Sequence, residues 1–377
     1  MLSLERDTIF VTLAGSQAHG TAREGSDVDL RGVCVAPLAL RVSLFQEFEQ
    51  FEGRIDGALW SQLCAKIEQH PSASRGLSVK TESVVFDVAK FLRLCAAANP
   101  NALEILFADE RDWLYVSPVW HRLFAERRCF LSRKVQATYL GYAIAQLKKI
   151  RTHRSWLLSP PTHKPTRAEF GLPNPSTLSG DDQTRIEQSI AERVRSYGID
   201  SVEMPKHARN AVEERLRNFW MDLLSVDEAA LDERQRAVAS AALALPVETV
   251  QTLNAERSYR AALKHWEAYQ AWKGARNPAR AELERQHGYD TKHAMHLVRL
   301  MRTGLELLQT GELRVRRPDA EELNQIRDGA LSYEALVAMA GDLQAEMSEA
   351  LRTTELPPDI DYERVERIAF EIIRETS

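Results

Sequence analysis

The chain has 377 residues, 44% of them hydrophobic, and a formal net charge of −5, which leaves room for two domains or one large one and for an ample core. The acidic balance excludes a polycation, so any nucleic-acid surface has to be a local patch. No stretch reaches the roughly 18 apolar residues of a membrane-spanning helix, and the N-terminal MLSLERDTIFVTLAG lacks the long apolar region of a secretory signal.

In chain order, IFVTLAG (9–15) is a short apolar run ending in glycine and predicts a buried strand. A Gly-Ser turn follows. Residues 27–36, DVDLRGVCVA, alternate polar and apolar side chains and predict a second strand; 78–86, SVKTESVVF, predict a third. Residues 87–98 predict a helix with Val88, Phe91, Leu92 and Cys95 on one face. Asn99-Pro100 ends it, and Asn101 is a candidate cap for the next helix, ALEILFA. A long helix is expected over 130–154. Residues 155–180 contain five prolines and read as a loop. Helical patterns then run over 183–197, 207–224, 227–243, 247–274 and 290–309. The last, YERVERIAFEIIRET, spaces Val365, Ile368, Ala369 and Ile372 as one face that can dock on its own chain or on a second subunit. The oligomeric state is left open. The expected organisation is α+β: a small core over 1–110, then a large mainly helical region over 111–377. Cys34, Cys64, Cys95 and Cys129 form no CxxC pair. That argues against a disulfide framework or zinc ribbon and for buried free thiols in a reducing, cytoplasmic setting.

The chemistry concentrates in GSQAHGTAREGSDVDLRG (15–32). Asp27 and Asp29, two apart on a predicted strand, share a face, with Val28 and Leu30 packed on the other. Two carboxylates so close repel unless a cation joins them. Magnesium suits such a pair, being held by one or two carboxylates together with substrate phosphates. Gly15 permits a sharp turn and close approach of a ligand. Ser16 and the N–H groups after it open a short helix, whose N-terminus favours phosphate. Together these parts fit phosphoryl transfer. Arg31 shares the aspartates' face and either pairs with Asp29 or reaches a phosphate. His19 reads as an exposed turn residue.

Gly15-Ser16, Gly20, Ser26-Asp27 and Asp29 resemble the GS…[D/E]x[D/E] signature of the DNA polymerase beta-like nucleotidyltransferase superfamily. The blocks "GSQAHGTAREGSDVDLRGV", "KFLRLCAAANPNALEILF", "FLSRKVQATYLGYAIAQLKK", "AEFGL" and "HGYDTKHAMHLVRLMRTGLELLQTGELRVRRPD" look like one branch of it, the nucleotidyltransferases associated with bacterial and phage RNA-repair systems. The resemblance runs in blocks from about residue 8 to residue 332; residues 181–245 match none of them and read as an insertion. It implies a mixed-sheet core and transfer of a nucleoside monophosphate from an NTP to an acceptor hydroxyl, with release of pyrophosphate. It implies Mg²⁺ or Mn²⁺ on Asp27 and Asp29, and Gly15, Ser16 and Ser26 around the triphosphate. A third carboxylate on a later strand is also implied. Glu82, on the predicted strand, is favoured over Asp87, whose other reading is a helix cap.

Two basic elements remain. In GYDTKHAMHLVRLMR (288–302), Lys292, His296 and Arg299 share one helical face. Ala294, Leu297, Val298 and Met301 share the face expected to pack inward. Such stripes are often only solvated surface; the resemblance makes this one a candidate triphosphate contact. His293 and His296 form HxxH, poor evidence for zinc without a third ligand nearby. Residues 127–168 contain ten Lys or Arg and no Asp or Glu, with Tyr139, Tyr142 and Trp156 interleaved. This is either a surface for RNA phosphates and unpaired bases or a helix with buried aromatics and solvated cations. With the RNA-repair resemblance it favours an RNA acceptor, a tRNA or a broken RNA end. Transfer to a protein or small molecule, or a silent nucleotide-binding protein, are the alternatives.

Overall fold

Thr8–Ala14 is the first strand, β1, of a five-stranded sheet in the computed structural model, which describes residues 2–71, 73, 81–172, 180–224, 233–245, 247–276 and 278–376. A single turn, α1 (Leu4–Asp7), precedes it. There follow α2 (Gly15–His19), β2 (Val28–Cys34), α3 (Leu38–Arg41), β3 (Gln50–Gly53), α4 (Gly57–Gln69) and β4 (Thr81–Asp87). Next come α5 (Val88–Ala96), α6 (Pro100–Leu106), β5 (Trp113–Val116), α7 (Pro118–Ala125) and α8 (Lys134–Leu158). Beyond lie α9 (Gly180–Ser196), α10 (Lys206–Leu224), α11 (Glu233–Ala242), α12 (Val247–Ala275) and α13 (Pro278–His287). The chain closes with α14 (Thr291–Thr310), α15 (Ala320–Arg327), α16 (Tyr333–Thr353) and α17 (Tyr362–Thr376). No helix among the described residues is long and apolar enough to cross a membrane.

The strand order is β3-β4-β2-β1-β5, with β2 and β4 parallel and the other pairs antiparallel. The α+β architecture expected from the sequence is therefore present: a small mixed sheet, then helices. Alternation along the strands divides two cores. Val11, Leu13, Val28, Leu30 and Val85 face α4, where Leu59, Leu63 and Ile67 are buried. Phe10 and Val33 face the opposite way, toward α5, α6, α8 and α14. Phe10 stacks on Trp120 at 3.7 Å between ring centroids.

The chain divides into two compact units, residues 1–158 with 279–377, and residues 159–278. In the second, Ile186, Ile190 and Val194 of α9 pack with Trp220, Leu243 and Leu253. The unmatched stretch 181–245 falls within this unit; its residues 225–232 lie outside the described ones. The first part of the helix expected over 227–243 does too, and α11 is the described remainder.

Several local expectations need correction. The boundary expected at residue 110 precedes β5, which pairs with β1 through Phe10↔Val116 and Val11↔Tyr115, so the sheet continues past it. The loop expected over 155–180 starts late, because α8 runs to Leu158; residues 173–179 of it lie outside the described ones, as do 78–80 of the third predicted strand. Asn99, not Asn101, caps α6: its side chain accepts from the N–H groups of Asn101 and Ala102, with Pro100 as the first helical residue. The cysteines are free, Cys34 and Cys95 buried, Cys64 and Cys129 half-buried. The apolar face of α17 docks in cis, with Val365, Ile368 and Ile372 buried in the same core as α5.

Gly304 of α14 lies at a close helix crossing. A Cβ there would lie 2.8 Å from Met347 Cε and 2.9 Å from Tyr139 Cβ. The Met end can move, but the Tyr139 Cβ is fixed to the α8 backbone. Gly304→Val is expected to lower unfolding free energy by about 1–3 kcal/mol through overpacking, measurable by urea denaturation of the full chain.

Candidate active site

The acidic motif sits where β1 ends and where β2 and β4 begin. Asp29 pairs in register with Ala14 on one side and Glu82 on the other. Residues opposed across a ladder project to the same face, so Asp29 and Glu82 share the face that Arg31 and Val33 continue. Asp27 lies just before the strand and is exposed. Gly15 follows β1 directly, at φ +58°, and a Cβ on it would meet Asp29 Oδ2 at 2.5 Å. Glycine is thus required twice over, by the left-handed backbone and by the carboxylate lying against it.

The Asp29 carboxyl is pushed above its ordinary value. Burial is the main cause, and the charges of Glu82 and Asp27 add to it, against Arg31 and Lys292. Arg31 is a weak partner: its guanidinium lies 3.8 Å from Asp29 Oδ1, while NH1 donates to the Leu30 carbonyl at 2.8 Å. Ser26 accepts the Arg23 N–H at 2.9 Å and closes the turn before the motif. Ser16 is half-buried, and its carbonyl accepts the N–H groups of Gly20 and Thr21.

Asp87 is elsewhere. Its register partner is Cys34, at the far end of β2. Its side chain caps α5 through the Ala89 N–H and pairs with Arg41 at 2.8 Å. Of the two candidate third carboxylates, Glu82 is therefore the one the fold brings beside Asp29.

A cleft of about 580 Å³ opens over this face of the sheet. Gly15, Asp29 and Arg31 line one side; Tyr142 and Lys149 of α8 and His293, His296 and Arg299 of α14 line another. The stripe predicted on α14 divides on folding. Arg299 is buried and its guanidinium binds Glu104 Oε1. Burial and nearby cations hold His296 well below its usual value, so it is neutral near pH 7. Lys292 remains outward, feeling the charges of Asp27 and Asp29. The inward face is as expected: Ala294, Leu297, Val298 and Met301 are buried.

His19 is not an exposed turn residue. It is buried, with Nε2 2.9 Å from Glu104 Oε2. Glu104 thus joins α2 to α14. The VRRPD segment ties the same turn from behind: the Arg317 N–H donates to the His19 carbonyl at 3.1 Å, and Arg316 NH2 reaches Asp112 Oδ1 at 2.6 Å. Glu104 and these arginines were missed from sequence, although a lone acid among the buried Leu103, Ile105 and Leu106 is itself a signal for a buried cation.

The basic stretch 127–168 is mostly consumed by packing. Arg128 pairs with Glu312, Lys134 with Asp359, and Arg133 donates to the Leu356 carbonyl. Tyr139 is fully buried and Trp156 stacks on His153, leaving Tyr142 at the cleft. Lys148, Lys149 and Arg151 make no ion pair among the described residues.

A mixed sheet with acidic residues at one end, beside a glycine turn and backed by helices, is consistent with a polymerase beta-like core. Residues 3–158 match the family model of RlaP, the RNA repair pathway DNA polymerase beta family. The matched stretch spans all five strands and ends with α8. No curated protein and no solved structure matches the chain.

Glu104, half-buried, gives a pH prediction. Arg299 and His19 hold its carboxyl well below the usual glutamate range against the opposing effect of burial. That stability is whole above the unfolded-state pKa of about 4.3 and is lost as pH falls from there toward the folded value. Glu104→Gln strands Arg299 and is expected to cost about 3–5 kcal/mol at pH 7. Its stability should also fall less steeply than wild type's below about pH 4, read from urea midpoints across a pH series.

Proposed function

We propose that the chain transfers a nucleoside monophosphate from an NTP to a hydroxyl on RNA and releases pyrophosphate. The observation that carries this reading is the register pairing of Asp29 with Glu82, with Gly15 packed against Asp29. The matched family's place in an RNA repair pathway supports RNA as the acceptor.

The carboxylates fit a divalent ion. Their donor atoms are all oxygen, the set that magnesium prefers. Asp29, raised by burial and by its acidic neighbours, lacks enough protein cation to balance it. Asp27, Asp29 and Glu82 would hold Mg²⁺ or Mn²⁺, which supplies charge neutralisation at the phosphates and lowers the acceptor's pKa. Gly15 and Ser16 bring backbone to the triphosphate, and Lys292 offsets its charge. Arg31 stands beside Asp29 for a non-bridging phosphate oxygen. His296 and Arg299, neutral and paired respectively, shape the wall. Glu82 takes the acceptor's proton; the acceptor oxygen bonds to the α-phosphorus; the bond from that phosphorus to the bridging oxygen breaks and pyrophosphate leaves.

Label from α-labelled NTPs, offered singly with Mg²⁺ or Mn²⁺, is expected to enter RNA in a mixture of total RNA and protein. Asp29→Asn should lower transfer by at least about 100-fold. It should melt no lower than wild type in chelator, because it removes a charge repelled by Glu82 and Asp27. Label in protein alone would move the acceptor to a protein hydroxyl, and transfer retained in Asp29→Asn would sink the assignment.

RNA binding is expected to weaken steeply with salt. In Lys148→Ala/Lys149→Ala the slope of log affinity against log salt should drop by about 2 if both lysines meet phosphates. An unchanged slope would remove this stretch from the RNA surface.

A further inference from the structure

The HxxH of α14 lacks a third ligand in the sequence, but the fold supplies one set that includes His293 and leaves His296 out. His153 comes from α8, Asp290 from the residue before α14, and His293 from its first turn. His153 Nδ1 lies 3.1 Å from Asp290 Oδ2, and His293 Nε2 lies 3.6 Å from the same oxygen. The three ligand atoms are all within 4.8 Å of one another. An ion bound tetrahedrally at about 2.0–2.1 Å spaces its ligands by roughly 3.3 Å.

The surroundings have the order found around metal ligands. His293 Nδ1 lies 2.8 Å from Gln146 Oε1. With the Gln146 amide oxygen facing it, Nδ1 is the nitrogen placed to donate, which leaves Nε2, on the Asp290 side, as the ligating nitrogen. Asp290 is fully buried, and its Oδ1 is fixed by the His293 N–H at 3.0 Å. The His153 ring is fixed by stacking on Trp156.

Arg280 also reaches Asp290 Oδ2, at 2.5 Å, and it binds Glu284 Oε1 at 3.1 Å. Oδ2 thus meets both Arg280 and His153 Nδ1, so an ion would take the place of the proton between His153 and Asp290 and leave the guanidinium bond standing. Glu284 is buried as well.

We infer that His153, Asp290 and His293 form a transition-metal site, of the nitrogen–oxygen kind that suits zinc(II), distinct from the Asp27/Asp29/Glu82 carboxylates. Magnesium is a poor occupant, because imidazole nitrogen suits zinc and its neighbours in the series while magnesium takes oxygen. The ion joins α8 to the start of α14. Lys292 lies between two of the ligands in sequence, so the site also fixes the lysine that faces Asp27 and Asp29. Only this last consequence rests on the nucleotidyl-transfer reading.

The test uses the full chain, stripped with chelator and returned to buffer with excess Mg²⁺. Co²⁺ is the optical probe and Zn²⁺ the competitor, with bound zinc counted by elemental analysis. Wild type is expected to take up one equivalent of zinc that Mg²⁺ does not displace, and to show the intense visible absorption of low-coordinate cobalt. His153→Gln and His293→Gln should each lose at least about 100-fold in zinc affinity, and Gln146→Leu about 10–100-fold. Asp29→Asn should lose label transfer yet bind zinc as wild type does, so the two assignments fail separately. Failure of wild type to bind one equivalent would overturn the site whether or not the variants fold. Undiminished binding in folded His153→Gln and His293→Gln would overturn it equally.

Discussion

One carboxylate decides how the two ends of the chain meet. Glu104 receives His19 from the turn after β1 and Arg299 from the middle of α14, partners 85 and 195 residues away. Burying these groups is costly unless each finds its counterpart, so the pairing tolerates only one arrangement of turn, α6 and α14. His19, Glu104 and Arg299 all line the cleft. His19 closes the short helix that Gly15 opens, and Arg299 lies two turns beyond Lys292. The arginines of the VRRPD segment reinforce the tie from the other side of the turn. The sheet holds the carboxylates; the C-terminal helices are what put a wall and a lysine opposite them.

Legibility in the sequence follows the range of the interaction. The Gly-Ser turn and the Asp27/Asp29 pair are local, so spacing alone reveals them. The helix face of Val88, Phe91, Leu92 and Cys95 is read correctly because burial repeats with the helical period. β3 and β5 escape notice because each has four residues and lies at a sheet edge, too short for alternation to register. Glu82 could be placed on a strand, but its register with Asp29 is a property of the ladder, not of either segment.

Charge is the property that composition misrepresents. Arg299 looks like one more cation on a solvated stripe until Glu104 arrives from a helix with no matching period. The run of ten basic residues over 127–168 suggests one electrostatic surface. Folding assigns most of its members to separate carboxylates and carbonyls. Among the described residues, Lys148, Lys149, Arg151 and Lys164 make no ion pair, fewer than the count implies. A basic excess in one segment measures how many partners the rest of the chain must provide.

Glu104 and Asp29 show where function and stability part. Both carboxylates meet the same opposing effect, burial, which disfavours their charged forms. At Glu104 the protein answers with Arg299 and His19, and the charge is held firmly. At Asp29 it answers with a distant Arg31 and with two more acids. The first is a finished interaction, and its worth is structural. The second is electrostatically incomplete, and groups left so are where ligands complete the balance. A folded chain could relieve Asp29 by one substitution to an amide. That the strand instead gathers Glu82 and Asp27 around it argues that the missing positive charge is meant to arrive from outside, with the substrate.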